Sequence, residues 1–195
     1  MESHASQPEA KLSQIRSSEP DVSSREAEPD AASATFRMPA AEDGHRVSAL
    51  IASSPPLDIN SAYCTLLQCS DFRETCILAE RGGKLLGWIS GYLQPDAPER
   101  LFVWQVAVDR AARGEGLALR MLDGLLARPS ARSVEALCTT ITKDNAASWA
   151  LFRAFARRHG AELASAPRFE REAHFAGAHA TEWEVRISPL PALST

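Results

Sequence analysis

The chain has 195 residues, 45% of them hydrophobic and 24% charged, with a formal net charge of -4. That length suits about one domain of roughly 100–200 residues, and the acidic balance argues against a partner such as duplex nucleic acid, which needs a basic face. No apolar run approaches the ~20 residues that cross a bilayer, and the first twenty residues hold no apolar signal region, so a cytoplasmic domain without membrane partners is expected.

Residues 1–34 are rich in Ser, Glu, Ala and Pro and contain no aromatic residue. Such a stretch buries too little apolar area to offset the entropy of ordering it, so a disordered extension is expected, ahead of one domain over residues 35–187. Within that domain a short strand is predicted at 35–38. A helix follows at 41–53, with Val47, Leu50 and Ile51 on one side, stopped by Pro55 and Pro56. A second short helix is read at 60–68. Strands at 75–81 and 84–93 flank Gly82-Gly83, a hairpin signal because both central positions of a type I′ turn need φ > 0. Residues 101–108 are nearly all apolar and read as a central strand covered on both faces. Leu117, Met121, Leu122 and Leu125 are spaced for one buried helix face over 116–127. A strand at 134–142 is followed by a helix to residue 158 that Asp144 or Asn145 could cap and Gly160 could end. Residues 168–175 and 181–187 read as two more strands, and 188–195, with two prolines, as a loose tail. The fold class is α/β with a mixed sheet. Cys64, Cys69, Cys76 and Cys138 form neither CxxC nor a zinc spacing, so they read as reduced, buried small hydrophobes and no metal is expected.

The most informative stretch is where the apolar strand runs through Asp109, Arg110 and Arg113 into Gly114-Glu115-Gly116 and opens into a helix. Helix N-termini expose unpaired N–H groups carrying about half a positive charge. Glycines let an anion approach those amides, and Arg110, Arg113 and Arg120 add charge, which suits a diphosphate. The stretch lacks the Lys-Ser/Thr of a P-loop and the spacing of a dinucleotide fingerprint. The alternative is an ordinary strand-to-helix turn.

Arg113-x-x-Gly116-x-Ala118 resembles the (Gln/Arg)-x-x-Gly-x-(Gly/Ala) signature of the GCN5-related N-acetyltransferases (GNAT). The resemblance implies a mixed central sheet flanked by helices and acetyl-CoA as co-substrate. Its pyrophosphate would lie on the amides of Arg113, Gly114, Glu115, Gly116, Leu117 and Ala118, and its pantetheine arm along the backbone of Gln105, Val106 and Val108. The stretch from Asn145 to Phe152 is similar to that family's second cofactor motif, although Phe152 stands near where many members carry a tyrosine.

A narrower resemblance lies in Leu57-Asp58-Ile59-Asn60-Ser61-Ala62-Tyr63, Phe102-Val103-Trp104-Gln105-Val106-Ala107-Val108 and Thr139-Thr140-Ile141-Thr142. These resemble the diaminobutyrate acetyltransferases of ectoine synthesis over approximately residues 36–187, with Thr65 and Lys143 as departures. That implies acetyl transfer from acetyl-CoA to the 4-amino group of L-2,4-diaminobutyrate and a homodimer. Asp58, Trp104 and an acidic residue, Glu182 or Glu184, would be the catalytic and substrate contacts, with Asn60 and Tyr63 as further substrate contacts.

The residues suit that chemistry, because a pocket for a cationic diamine needs carboxylates. Asp58 precedes a short helix where Asn60 or Ser61 could cap and Tyr63 could point inward at the substrate; Asp58 is itself a common cap residue. Glu182 and Glu184 share one strand face and could equally be solvated surface charges. His174 and His179 read as surface residues with the option of a base. Direct transfer in a ternary complex is expected, with acylation of Cys138 as the rival route. Other small amines, a protein N-terminus, or acetyl-CoA sensing without turnover are the alternative functions.

Overall fold

The computed structural model describes residues 33–190. Nearly all of the extension expected at residues 1–34 lies outside the described residues, as does the last part of the expected tail. The chain runs through β1 (Thr35–Arg37), α1 (Gly44–Ala52), α2 (Ala62–Cys69), β2 (Ile77–Arg81), β3 (Lys84–Gln94), β4 (Ala97–Val108), α3 (Leu117–Leu126), β5 (Ala136–Thr142), α4 (Ala146–His159), β6 (Glu162–Phe169), α5 (Arg171–Phe175) and β7 (Glu182–Ser188). The strands form one seven-stranded sheet in the order β1-β2-β3-β4-β5-β7-β6. Only β4 and β5 pair parallel. The mixed sheet expected from the sequence is thus present, with β4 at its centre.

Two apolar layers sandwich the sheet. Leu117, Met121, Leu122 and Leu125 of α3 and Phe152 and Phe155 of α4 pack on one face with Ile77, Ile89, Leu137 and Val185. Each such side chain contributes about 1.5–3 kcal/mol through burial. Val47, Leu50 and Ile51 of α1 and Cys69 of α2 cover the other face, over Leu78, Trp88 and Ala107. Asn145 caps α4, accepting the Ser148 N–H at 3.1 Å, whereas Asp144 does not cap. Asp123 of α3 holds Arg158 and His159 of α4 at 2.9 Å each, joining the two helices.

Three expectations are corrected. The strand read at 168–175 lies earlier: β6 runs Glu162–Phe169, so only Arg168 and Phe169 of that stretch are strand, and 171–175 is the short helix α5. β6 escaped notice because Ala-Ser-Ala-Pro reads as turn, yet it is the sheet's edge strand, where a proline is tolerated. The helix read from residue 60 starts at Ala62, because Ser61 takes the cap and accepts the Cys64 N–H. β4 is not covered on both faces either, since Trp104 is 50% exposed. Of the tail, Leu190 is buried and its N–H donates to the Glu135 carbonyl at 2.8 Å.

An ion network ties the first strand to the domain. Arg37 reaches both oxygens of Asp43 at 2.7 Å and Glu80 at 2.6 Å, while Arg46 reaches Glu80 at 2.8 Å and Asp43 at 3.3 Å. The Arg37 hydrogen bonds hold both carboxyls below the usual carboxylate range. Stability from those depressed groups is present above their unfolded values and is lost as pH falls through the folded ones. Arg37→Ala leaves the buried Asp43 carboxylate with the longer Arg46 contact and the Ala40 N–H, and is expected to cost about 2 kcal/mol, discounted because Arg37 is partly exposed. Thermal unfolding should show Tm lowered by about 4–8 °C at neutral pH, with a smaller gap in acid.

Candidate active site

The chemistry-bearing residues converge where the two central strands part. β4 and β5 pair only from Arg100 to Phe102 against Ala136 to Cys138. Beyond that the strands diverge, leaving the main chain of residues 103–108 on that edge without a strand partner. The opening is a cavity of about 430 Å³, with Val103, Trp104, Gln105 and Val106 on one wall and Thr139, Thr140, Ile141, Thr142, Asn145, Ser148 and Phe152 on the other. Pro56, Leu57, Asp58 and Asn60 close it on one side, and His179, Ala180 and Glu182 on the other.

A bulge in β4 sets which side chains face this space. Ser90 of β3 pairs with Gln105 and the next residue, Gly91, with Val103, so Trp104 is the extra residue. A bulge breaks the alternation of faces. Trp104 and Gln105 therefore emerge on the same side of the sheet, the side carrying Tyr92 and Trp88. The Trp104 ring stands edge-on to Tyr92 at 6.5 Å, with half its surface open to the cavity.

The cavity is acidic. Its carboxylate lining side chains are Asp58, Asp144 and Glu182, with His179 beside them, and among the described residues no lysine or arginine lines it. Glu182 is only 20% exposed, and burial pushes its carboxyl above the usual range despite the opposing pull of Thr140 and His179. Asp58 is open to solvent and caps no helix. The geometry separates the two glutamates: Glu182 lines the cavity, while Glu184 turns to Arg168 at 3.2 Å.

His179 was read as a surface residue, and it instead stands between the two acids. Its Nε2 is 4.0 Å from Asp58 and its Nδ1 is 4.0 Å from Glu182. Nδ1 also lies 2.8 Å from the Ala180 carbonyl, which only accepts, so Nδ1 carries the proton and Nε2 faces Asp58. The Phe175 ring backs it at 4.8 Å. It lies in the loop ahead of β7, outside any strand or helix, so no periodicity in the sequence places it, and the sequence offered it only as an optional base. His174, by contrast, accepts the Glu170 N–H and serves the start of α5.

Tyr63 is a correction: it is 71% exposed and does not line the cavity. α2 buries Thr65, Gln68 and Cys69 instead, and Tyr63, like Leu66 and the preceding Ile59, is exposed. Asn145 spends its side-chain oxygen on the α4 cap while still lining the cavity, and Phe152 is buried in the wall without a hydroxyl. Cys138 is buried, and desolvation pushes its thiol up, which disfavours a nucleophilic thiolate.

The glycine turn sits at the far end of β4, outside the cavity wall. From Trp104 to Val108 the strand covers about 13 Å at ~3.3 Å per residue. Gly114 (φ 84°) and Gly116 (φ 69°) are left-handed, and Gly116 is the N-cap of α3. Asp109 accepts the Ala111 N–H at 2.9 Å and meets Lys84 at 3.0 Å, while Arg113 Nε donates to the Val108 carbonyl. Among the described residues nothing accepts from the N–H groups of residues 114–118. The Glu115 carboxylate is drawn aside by Arg81, so it does not repel an anion at those amides. Arg120 lies over the Phe36 ring at 5.9 Å.

Residues 24–156 match the acetyltransferase (GNAT) family. The L-2,4-diaminobutyric acid acetyltransferase of Methylotuvimicrobium alcaliphilum is 48% identical over 159 residues, covering 82% of this chain and 92% of that protein. The protein of the same name from Halomonas elongata is 44% identical over 156 residues, covering 80% of this chain and 81% of that one. A solved diaminobutyrate acetyltransferase from Paenibacillus lautus, in complex with its substrate L-2,4-diaminobutyric acid and coenzyme A, matches with a TM-score of 0.77 at 37% identity, over 80% of this chain and 95% of that one. Ard1 from Thermoplasma volcanium, 16% identical with a TM-score of 0.62 over 80% of this chain and 97% of that one, shares the fold. This chain belongs to the GNAT acetyltransferase family, among the diaminobutyrate acetyltransferases.

Proposed function

We propose that the enzyme transfers the acetyl group of acetyl-CoA to the 4-amino group of L-2,4-diaminobutyrate, a step of ectoine synthesis. The carrying observation is an acidic cavity, free of lysine and arginine among its described lining, joined by one strand to a turn of unpaired amides. These features fit acetyl-CoA: the amides of residues 114–118 would hold its pyrophosphate, the Arg113 N–H being turned to the Arg110 carbonyl, and the open edge of β4 at Gln105, Val106 and Val108 its pantetheine arm. Asn145 and Phe152 would flank that arm. When bound, acetyl-CoA supplies a thioester carbonyl carbon to the amine and releases coenzyme A.

Asp58 and Glu182 draw the diamine in by charge, and Trp104, with Asn60 nearby, shapes the space around its chain. An alkylammonium has a pKa of roughly 10, so about one molecule in a thousand is neutral at pH 7. Glu182, directly or through water, takes the ammonium proton, which frees the nitrogen lone pair to form the new C–N bond as the C–S bond breaks. A main-chain N–H of β4 polarises the carbonyl oxygen, a contribution of about 3–4 kcal/mol. The transfer is direct and needs no metal. The reading includes a cytoplasmic homodimer with residues 35–187 as the catalytic domain. Edge strand β6, with its outer main chain unpaired, supports a contact between copies, and no helix among the described residues is long and apolar enough to cross a membrane.

An acceptor panel tests the assignment. Purified protein with acetyl-CoA is expected to favour 2,4-diaminobutyrate over ornithine by at least about tenfold in kcat/KM, the usual effect of one methylene. Faster acetylation of ornithine, lysine or a peptide N-terminus would overturn the assigned substrate. Coenzyme A binding without thiol release for any amine would leave a sensor instead.

A further inference from the structure

We infer that the Gln105 side chain is a latch that positions the substrate-facing loop at Asp58. This rests on the reading that the amine occupies the cavity beside that loop. Gln105 is 6% exposed, and both ends of its amide are engaged by the same loop. Its Nε2 donates to the Asp58 carbonyl at 2.8 Å, and its Oε1 accepts from Asn60 Nδ2 at 2.8 Å. Among the described residues these are the only hydrogen bonds joining residues 58–60 to the sheet. Leu57, just before, packs its side chain on the α1 side of the core, and its N–H donates to the Ser54 carbonyl at 3.2 Å, which leaves residues 58–60 tied to the sheet by Gln105.

The Trp104 bulge is what makes the latch. Without a bulge, strict alternation through Val103 and Trp104 would point Gln105 to the face covered by α3, with Leu101 and Val103. With it, two consecutive side chains reach the cavity side, one as an aromatic wall and the other as an anchor. The Gln105 main chain stays on the open strand edge for the acetyl carrier while its side chain fixes the amine-facing acid. One residue thus registers the two substrates against each other. Asn60, taken at first as a substrate contact, belongs to the anchor, and Asp58 keeps its carboxylate free because its main chain carries the attachment.

Gln105→Leu removes both hydrogen bonds, and Asn60→Ala, at the half-buried surface, removes one without disturbing the core. Each is expected to raise KM for diaminobutyrate, by about tenfold and about threefold respectively, with KM for acetyl-CoA within twofold of wild type. Gln105→Glu, which still accepts from Asn60 but no longer donates to the Asp58 carbonyl, should fall between them. The double variant Asn60→Ala/Gln105→Leu should be no worse than Gln105→Leu alone, because the second change removes a bond already lost. Hydrogen exchange without substrate should show faster exchange of the Leu57 and Cys64 amides, which donate to Ser54 and Ser61 at the two ends of the loop, in both single variants and unchanged protection in β4. An Asn60→Ala protein with wild-type loop exchange and wild-type amine KM overturns the latch, whether or not Gln105→Leu folds. Faster loop exchange in a wild-type background that fails to acetylate diaminobutyrate would instead overturn the substrate assignment and leave the anchor standing.

Discussion

Glu182→Gln is expected to lower kcat/KM for diaminobutyrate by about 10²–10³-fold, the range for removing a positioned general base. Acetyl-CoA binding, measured by calorimetry, should stay within twofold, because Glu182 lies at the amine end of the cavity and the turn amides at the other end of β4. The buried carboxyl is held above its ordinary range, so the acid limb of the wild-type rate profile should lie above that of a solvent-exposed glutamate. That limb should vanish in the glutamine variant. Stability should move the other way. A carboxyl raised by desolvation favours the fold in its protonated form, and that contribution disappears as pH rises through the folded value. At neutral pH the wild-type fold bears an ionised, half-desolvated carboxylate, and the isosteric amide removes it. Glu182→Gln should therefore have a Tm equal to or above wild type at pH 8, with the difference shrinking toward pH 4. Wild-type turnover in the variant, or a lower Tm at pH 8, would remove Glu182 from the role argued for it.

What the sequence revealed and what it hid follow from one physical distinction. Apolar spacing exposed α1 and α3, because Val47, Leu50 and Ile51, or Leu117, Met121 and Leu122, must fill one side of a helix. The glycine pairs were equally legible, since positive φ at Gly82, Gly83, Gly114 and Gly116 restricts residue choice. The edge strand β6 had neither signal. Five of its eight residues are exposed and small or polar, so no pattern marks a strand whose pairing comes from β7. The site divides the same way. Asp58, Trp104 and Glu182, which line the cavity, were named through local resemblance, whereas the placement of His179 and the side-chain contacts of Gln105 depend on meetings across the fold. His179 reaches Asp58 over 121 positions, and Gln105 reaches Asn60 over 45. The bulge that turns Gln105 toward the loop is a mismatch of register between β3 and β4, visible only once the strands are paired. Tyr63 failed for the opposite reason: a local stretch does not say which face of α2 meets the sheet, and the buried Thr65, Gln68 and Cys69 leave Tyr63 on the other side.

Gly116→Val tests the other end of the strand and should raise the Kd for coenzyme A by about 10–100-fold. At φ 69° Gly116 adopts a conformation that costs an L-residue roughly 1–2 kcal/mol and a β-branched one more. A Cβ built there meets nothing within 4 Å, so no collision forces a local rearrangement. The strain is relieved by the backbone turning toward negative φ, which swings the N–H groups at the start of α3 away from a common focus. Several charge-assisted hydrogen bonds to a diphosphate depend on that focus. KM for diaminobutyrate should change little, because the amine end of the cavity is formed by other segments. Strain alone is separated from lost binding by Gly82→Val in the β2–β3 hairpin, where φ is 56° and the added Cβ also finds open space. That control should lose comparable stability and bind coenzyme A as wild type does. Equal weakening in both variants would show a general loss of the fold, and wild-type affinity in Gly116→Val would move the diphosphate off the start of α3.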